Sequence, residues 1–225
     1  MSQIRAESTR LAGIIDGTDF ELNVPSCPDW TFRDLIVHIG EVQRFWAGNL
    51  RAQDASSPWR APPDRPASDA DLVSWMRAST DLLLSALRDV GAAAPCWTWW
   101  GQPLTSGAVG RHQVQEAAVH RWDAELTLGT PAPLNEAVAL DGVAEFLEVM
   151  GAAGAISLAG SVTLVATDTG SEWLAGEGTA SRAVVRAAAS DLVLLLYRRL
   201  PLSTADTEGD TELAESLLGL AGPQA

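Results

Sequence analysis

The chain has 225 residues, 47% of them apolar, and a net charge of −14 from 29 acidic and 15 basic side chains. This charge argues against a nucleic-acid-binding protein, which needs clustered Lys and Arg to neutralise phosphates. No apolar run has the length of a membrane span, and the first residues lack the apolar stretch of a secretory signal. The composition therefore predicts a cytoplasmic protein with no membrane or nucleic-acid partner. Cys27 and Cys96 form no C-x-x-C pair, so we expect two ordinary thiols.

The first part of the chain is predicted to be helical, because its apolar residues recur at i, i+3, i+4 and i+7. The predicted helices cover about 3–20, 31–51, 68–90 and 106–128. Thr31 and Asp34 have the spacing of a capping box at the start of the second helix. Ser68 and Asp71 repeat that spacing at the start of the third. Loops rich in Pro, Gly and Ser connect these helices, which fits a four-helix bundle.

After Gly129 the pattern changes, and the segment GTPAPLNE is the predicted domain boundary. The predicted elements beyond it are a helix over 136–150, strands over 161–167, 171–175 and 182–187, and helices capped by Ser190 and Asp210. This order predicts a small α+β domain. The fold class is therefore α+β, with a four-helix bundle over 1–133 and an α+β domain over 134–225.

The most informative stretch is the fourth predicted helix, with RHQVQEAAVHRWDAE over 111–125. Glu116 and His120 are four residues apart, so both side chains leave the same face of that helix. The second helix carries His38 within its apolar stripe, where a lone His is more often a structural residue. With Glu116 and His120 facing inward from another helix, we predict a shared metal site. Two imidazoles and one carboxylate suit Zn²⁺, although the same set could hold Ni²⁺, Fe²⁺ or Mn²⁺.

Other polar side chains near this site receive other interpretations. His112 lies two turns from His120, about 12 Å along the helix, which is too far for a shared ion. We therefore predict that His112 is a surface residue. Asp123 and Glu41 could orient the imidazoles, but a solvent-exposed position is the expectation for each.

Three tryptophans fall together, Trp97, Trp99 and Trp100. Core packing is the default interpretation of such a cluster. Its position beside the predicted metal helix favours the wall of a pocket. The chain has no H-E-x-x-H, no G-x-S-x-G and no Walker-type glycine loop, so these motifs offer no alternative site.

Three segments, CPDWTFRDLIVHIGEV (27–42), QEAAVHRWDAEL (115–126) and VTLVATDTGSEW (162–173), resemble the mycothiol-dependent maleylpyruvate isomerase family. The resemblance implies a DinB-like metal-binding bundle followed by a domain similar to sterol-carrier modules. It also implies that His38, Glu116 and His120 are the metal ligands.

The family resemblance further implies that an arginine of the C-terminal domain holds an acidic substrate. The arginines that could do so are Arg182, Arg186, Arg198 and Arg199. We take Arg198 and Arg199 as candidate substrate-binding residues, together with the three clustered tryptophans. A cleft between the two domains would hold the substrate.

The function that these observations predict is a zinc enzyme with mycothiol as its thiol cosubstrate. A thiolate activated by the metal would add reversibly to an electron-poor double bond, or displace a leaving group, in a small electrophilic substrate that can be anionic. The predicted activities are therefore isomerase and S-transferase. The alternatives are a non-catalytic binding module with a structural or vestigial metal and a zinc hydrolase that uses metal-bound hydroxide.

Overall fold

The computed structural model describes residues 1–15, 17–61, 64–66 and 68–220. The helices of the N-terminal part are α1 (Ser2–Ile15), α2 (Phe32–Ala52), α3 (Leu72–Val90) and α4 (Ser106–Thr127). These four helices pack against one another, as the apolar periodicity predicted. The first helix is shorter than predicted and ends at Ile15.

The capping boxes have different outcomes. At Thr31 the box is complete, because Oγ1 accepts the Asp34 N–H at 3.2 Å and the Asp34 carboxylate accepts the Thr31 N–H at 2.9 Å. At Ser68 the box is incomplete, since the hydroxyl donates to the Asp71 carboxylate and caps no backbone N–H. A 3-10 turn over Asp69–Asp71 follows, and the α-helix begins at Leu72.

The predicted loop before α2 is wrong in part, because it contains a small hairpin. Strand β1 (Asn23–Val24) pairs antiparallel with β2 (Cys27–Thr31). Val24 lies opposite Cys27, so the two residues between them make the turn. Proline in a turn or at an edge strand costs no ladder hydrogen bond, so the prolines here do not prevent pairing. Thr31, the last residue of β2, is also the N-cap of α2, so the hairpin leads directly into that helix.

Close packing of α2 depends on two glycines. A Cβ at Gly40 would lie 1.9 Å from the Trp75 ring, and a Cβ at Gly48 would lie 2.3 Å from the Trp59 ring. Each glycine therefore lets a tryptophan of another segment lie directly on the helix backbone. The buried core that includes Trp75 is formed mainly by α1, α2, α3 and the hairpin, with Leu11, Ile15, Val24, Phe32, Leu35, Ile36, Ile39, Leu72 and Met76 among its members.

A buried ion network joins α1 to α4. Arg121 is 1% exposed, and its guanidinium bonds Glu7 at 2.9 Å and Glu125 at 2.7 Å. Glu125 also pairs with Arg10 at 2.5 Å and accepts the Ala132 N–H at 3.0 Å. The Ala132 carbonyl accepts a bond from Arg121 at 2.9 Å. The network therefore holds the segment that follows α4 against the bundle.

The chain forms two compact units, Met1–Ala132 and Pro133–Ala225. The second contains α5 (Glu136–Ala152), β3 (Ser161–Ala166), β4 (Glu172–Ala175), β5 (Arg182–Ala187), α6 (Ala189–Leu196), β6 (Asp206–Gly209) and α7 (Thr211–Leu218). Its sheet has the order β4-β3-β5-β6, with β3 and β5 parallel and the other pairs antiparallel. Alternate residues of β3 are buried, and α6 and α7 pack on that strand. The predicted α+β class is confirmed.

Two details of the second unit differ from the sequence prediction. Strand β6 was not predicted, because its short sequence DTEG is acidic and carries no apolar residue. Ser190 lies inside α6 and does not cap it, since its hydroxyl accepts the Leu134 N–H at 2.9 Å. Asp210 does cap α7, as predicted, by accepting the Leu213 N–H.

Among the residues described, each helix is too short or too polar to span a membrane.

Candidate metal centre

The structure brings His38, Glu116 and His120 together between α2 and α4. Glu116 Oε1 lies 3.0 Å from His38 Nε2 and 3.4 Å from His120 Nε2. One donor atom from each of the three lies within 4.8 Å of the others. Ligands at about 2.0–2.1 Å from a tetrahedral zinc are themselves roughly 3.3 Å apart. The donor set and its spacing therefore fit one small divalent ion.

One side of this cluster is more accessible than the other. The His120 side chain is 1% exposed, whereas Glu116 is 14% and His38 is 27% exposed. Among the described residues, no fourth His, Cys, Asp or Glu joins the three. Three protein ligands with an accessible side are typical of catalytic zinc sites, whereas structural sites have four.

The three side chains are coupled electrostatically. Burial by itself would raise the pKa of Glu116, but the charge of His120 and hydrogen bonds from both imidazoles lower this pKa well below its usual range. Burial would also lower the pKa of His120, but the Glu116 charge and hydrogen bonds to Asp123 and Glu116 raise it to about 9. Without a metal, the pair is therefore a carboxylate and an imidazolium.

A second carboxylate holds His120 from its other side, which corrects the expectation that Asp123 is exposed. Asp123 is 0% exposed, and its Oδ2 lies 2.8 Å from His120 Nδ1. Ser26 donates to Asp123 Oδ1 at 2.6 Å. With a proton on Nδ1, His120 keeps its Nε2 lone pair for a metal. The three-residue spacing of His120 and Asp123 on one helix could have suggested this contact, whereas nothing in the sequence indicates Ser26.

Trp30, at the end of the hairpin, is the other neighbour that the sequence did not reveal. Its ring centroid lies 4.6 Å from that of His38 and 6.0 Å from that of His120. An aromatic ring against both imidazoles limits their rotation. Among the residues that the structure describes, Glu41 bonds neither imidazole. Its Oε1 accepts a hydrogen bond from Arg65 Nε at 2.5 Å.

In the structure the tryptophan cluster gains Trp46 and consists of four contacting rings, Trp46, Trp97, Trp99 and Trp100. The ring of His112 packs against this cluster. The His112 ring lies 4.8 Å from Trp100, 5.9 Å from Trp99 and 6.4 Å from Trp46. His112 is therefore half-buried among aromatic rings, and its predicted surface position is wrong. Trp100 is 2% exposed and belongs to the core, whereas Trp99 is 46% exposed. His112 precedes Glu116 by one turn of α4, so the tryptophan cluster lies next to Glu116 and His120 along that helix.

The two candidate arginines at the end of α6 have different surroundings. Arg199 is 7% exposed, and its guanidinium donates to the Tyr197 carbonyl at 2.8 Å. Arg198 is exposed and has a φ of 59°, in the left-handed region. A residue other than glycine is uncommon there. Arg182 and Arg186 lie on β5, where Arg186 pairs with Glu208 at 3.1 Å.

Both cysteines are free, as predicted, and both are buried. Burial raises the pKa of the Cys96 thiol to about 11. Because the thiolate is the nucleophile, Cys96 is a poor candidate for covalent chemistry.

Comparison with known proteins gives one consistent result. Residues 1–125 match the family model "Mycothiol maleylpyruvate isomerase N-terminal domain", and residues 137–216 match "MDMPI C-terminal domain". The crystal structure of the mycothiol-dependent maleylpyruvate isomerase is similar, with a TM-score of 0.72 and 15% identity over 92% of this chain and 90% of that one. A mutant of that enzyme gives a TM-score of 0.72 at 14% identity, with the same shares of both chains covered. No curated protein matches the chain by sequence. The two family models together cover most of the chain, which therefore belongs to the mycothiol-dependent maleylpyruvate isomerase family.

Proposed function

We propose that the protein is a metal-dependent enzyme that uses mycothiol and acts on a small electrophilic and anionic substrate. The reaction is either isomerisation of that substrate or S-transfer, in which mycothiol becomes attached to it through sulfur. The observation that carries the proposal is the convergence of His38, Glu116 and His120 on one point with an accessible side. Membership of the family supports the choice of mycothiol as the thiol. Zinc is the metal that this donor set favours.

The residues have distinct roles in this proposal. His38, Glu116 and His120 hold the metal, which when bound lowers the pKa of a coordinated thiol so that it reacts as a thiolate. Asp123 keeps the proton of His120 on Nδ1, and Ser26 fixes Asp123. Trp30 packs on both imidazoles and limits their movement. These contacts come from the hairpin, α2 and α4, so rigid elements preorganise the site.

The isomerisation follows from the chemistry of a thiolate. Its sulfur adds to a cis double bond conjugated with a carbonyl, and the displaced electron pair moves to the carbonyl oxygen. The former double bond is then a single bond about which the adduct can rotate. Loss of the same thiolate then restores the double bond in the trans form, with no net consumption of thiol. If the substrate carries a leaving group instead, its departure leaves the sulfur attached, and the reaction is an S-transfer.

Arg198 is the arginine that we propose for the substrate's carboxylate. Arg199 is buried against the Tyr197 carbonyl, whereas Arg198 is exposed in a left-handed conformation that would favour glycine. Strained backbone of this kind is concentrated at functional positions. The half-exposed Trp99 is the candidate for an apolar wall against the substrate. The buried Trp100 packs against Trp99 with ring centroids 5.4 Å apart, whereas Trp97 packs against Trp46 at 6.2 Å.

The Arg198→Gly variant tests this assignment. We expect stability in urea to be unchanged or to increase by at most about 1 kcal/mol, because glycine relieves the left-handed strain. The KM for an anionic substrate should rise at least about tenfold, the loss typical of a charge-assisted hydrogen bond. An unchanged KM would remove Arg198 from the binding site.

The function itself is tested by replacing the metal with Co²⁺ and adding mycothiol while the absorption spectrum is recorded. A thiolate-to-cobalt charge-transfer band is expected for the native chain and not for His38→Ala or His120→Ala. His112→Ala is the matched histidine control and should retain the band. Turnover of maleylpyruvate, the substrate named for the similar structures, is then measured with and without the thiol.

Each alternative function predicts a different result. Metal binding without any response to thiol, together with thiol-independent hydrolysis, would favour a zinc hydrolase. Failure to bind metal after reconstitution would leave a non-catalytic binding module. The absence of a fourth ligand among the described residues argues against a purely structural metal.

A further inference from the structure

A cavity lies in the first unit, with a lining distinct from the three proposed metal ligands. Its volume is about 920 Å³, within the range of small-molecule sites. It is formed by one face of α2, by Leu82 of α3 and by five residues that follow α2, which are Trp59, Arg60, Ala61, Asp64 and Arg65. None of His38, Glu116 and His120 lines it.

The charge of the cavity is opposite to that of the chain. Four arginines and two carboxylates line it, whereas the whole chain has 15 basic and 29 acidic residues. The lining charges are Arg44, Arg51, Arg60, Arg65, Glu41 and Asp64. The cavity therefore carries a formal charge of +2 on a protein of net charge −14. Such a local excess favours an anionic ligand.

Two of these arginines are already neutralised, and two are not. Arg65 bonds Glu41 through Nε at 2.5 Å, and Arg44 pairs with Asp64. Arg51 and Arg60 are exposed and have no carboxylate partner among the residues that the structure describes. These two guanidinium groups are the donors that a ligand could use.

The walls of the cavity are held by specific contacts. The Trp59 backbone N–H donates to Oδ1 of the buried Asn49 at 2.8 Å, and the Trp59 ring lies directly on Gly48. Arg44 donates to Ser79 at 2.7 Å, and its guanidinium lies 5.0 Å from the Trp75 ring centroid. The wall that carries Trp59 is therefore a defined surface.

The apolar part of the lining selects among anions. The Trp59 side chain is 38% exposed, and Phe45, Ala52 and Leu82 add further apolar surface. A flat ring can pack against an indole, while a carboxylate can bind a guanidinium through two hydrogen bonds. Inorganic anions would leave the apolar surface uncovered.

We propose that this cavity binds a small aromatic carboxylate, with its ring against Trp59 and its carboxylate on Arg51 and Arg60. The proposal is independent of the metal centre, because the two sites share no residue.

Benzoate is the probe, and benzamide is the uncharged control of the same shape. The readout is the Trp59 indole signal in ¹H–¹⁵N spectra of the full chain, identified by its loss in Trp59→Phe. Benzoate should shift this signal saturably. Benzamide should bind about fivefold more weakly or worse, because it lacks the charge that interacts with the arginines.

Two matched double variants separate specific from general charge effects. Arg51→Gln with Arg60→Gln should weaken benzoate binding about tenfold, since each exposed charge pair contributes a few-fold. Arg77→Gln with Arg88→Gln removes the same charge from exposed positions of α3 and should change the affinity less than about twofold.

Three results would overturn the proposal: equal binding of benzoate and benzamide, no effect of the Arg51 and Arg60 substitutions, or no shift of the Trp59 signal. Benzoate binding should persist in His120→Ala, so a failure here is distinguishable from a failure of the metal-dependent mechanism.

Discussion

Asp123 determines how His120 can act, although it contributes no atom to the proposed ligand set. Its Oδ2 lies 2.8 Å from His120 Nδ1, and its Oδ1 accepts a bond from Ser26 at 2.6 Å. Carboxylates in this position fix the imidazole tautomer and its orientation, and both affect metal affinity. The buried side of the site is therefore as important as its accessible side.

Replacement of Asp123 by Asn tests this role. The amide accepts a hydrogen bond more weakly than the carboxylate and can donate to Nδ1, which favours the wrong tautomer. We expect zinc affinity to fall roughly 10- to 100-fold, measured by competition with a chromophoric chelator. Glu41→Gln is the control, since Glu41 pairs with Arg65. An affinity equal to that of the native chain would show that Asp123 does not position His120.

The raised pKa of His120 predicts a proton release. Because this pKa is about 9 without metal, the imidazole is protonated near neutral pH and a binding ion must displace that proton. We expect release of about one proton per zinc and an apparent affinity that rises with pH up to the pKa of His120. Calorimetry in two buffers of different ionisation enthalpy measures the release. Binding without proton release would contradict the assignment.

The same shift has a consequence for the stability of the metal-free protein. The folded-state pKa of His120 exceeds the ordinary histidine value of 6.5, so its contribution to stability is fully present below pH 6.5. This contribution is lost as the pH rises through about 9. The Tm of the metal-free chain should therefore fall over this range, and His120→Ala should remove this part of the decrease.

At the scale of single elements, the start of α2 is fixed more strongly than the start of α3. Thr31 and Asp34 exchange hydrogen bonds in a complete capping box, whereas Ser68 caps no backbone N–H. His38 lies seven residues after Thr31, so this cap also fixes the helix that carries one proposed ligand.

These two positions form a matched pair for mutation. Thr31→Ala should lower the free energy of unfolding by about 1 kcal/mol, because an N-cap bond is lost. Ser68→Ala should lower it by less than about 0.5 kcal/mol, since an exposed hydroxyl with no cap bond contributes little. Urea unfolding of both variants measures the difference. Equal losses would mean that Ser68 caps α3 in solution.

At the scale of the whole molecule, the proposed metal site is contained in the first unit. All three proposed ligands, with Ser26, Trp30 and Asp123, lie within Met1–Ala132. Arg121 donates to the Ala132 carbonyl, and Glu125 accepts the Ala132 N–H. The last residue of the unit is therefore bonded to side chains of the same unit.

We therefore propose that residues 1–132 form an independent metal-binding domain. The isolated fragment should fold and bind about one zinc through the three ligands, as circular dichroism and metal analysis would measure. The fragment with His120→Ala is the control and should lose the metal. The fragment with all three ligands should also lack turnover of an anionic substrate, because Arg198 is absent. A fragment that folds without binding zinc would contradict the assignment of the ligands.

The sequence alone determined most of the helices, three of the strands of the second unit and the α+β class. Apolar periodicity reports which face of a helix is buried, so α2 and α4 followed from local spacing. The sequence also predicted a shared site for His38, Glu116 and His120, because one imidazole on an inward face and an i, i+4 pair on another are local patterns. The structure brings these three side chains together.

Only the tertiary structure decided which groups surround those residues. Ser26 lies 97 residues from Asp123 along the chain, and Trp30 lies 90 positions from His120, so no local pattern joins them. Helical spacing alone predicts a surface position for His112 and a solvent-exposed one for Asp123, because it does not show how a neighbouring hairpin or a cluster of tryptophans covers a helix. Strand β6 is acidic and forms because β5 offers a free edge, which is a property of the sheet. Periodicity specifies a buried face, but the partner that covers it is set by contacts between distant segments.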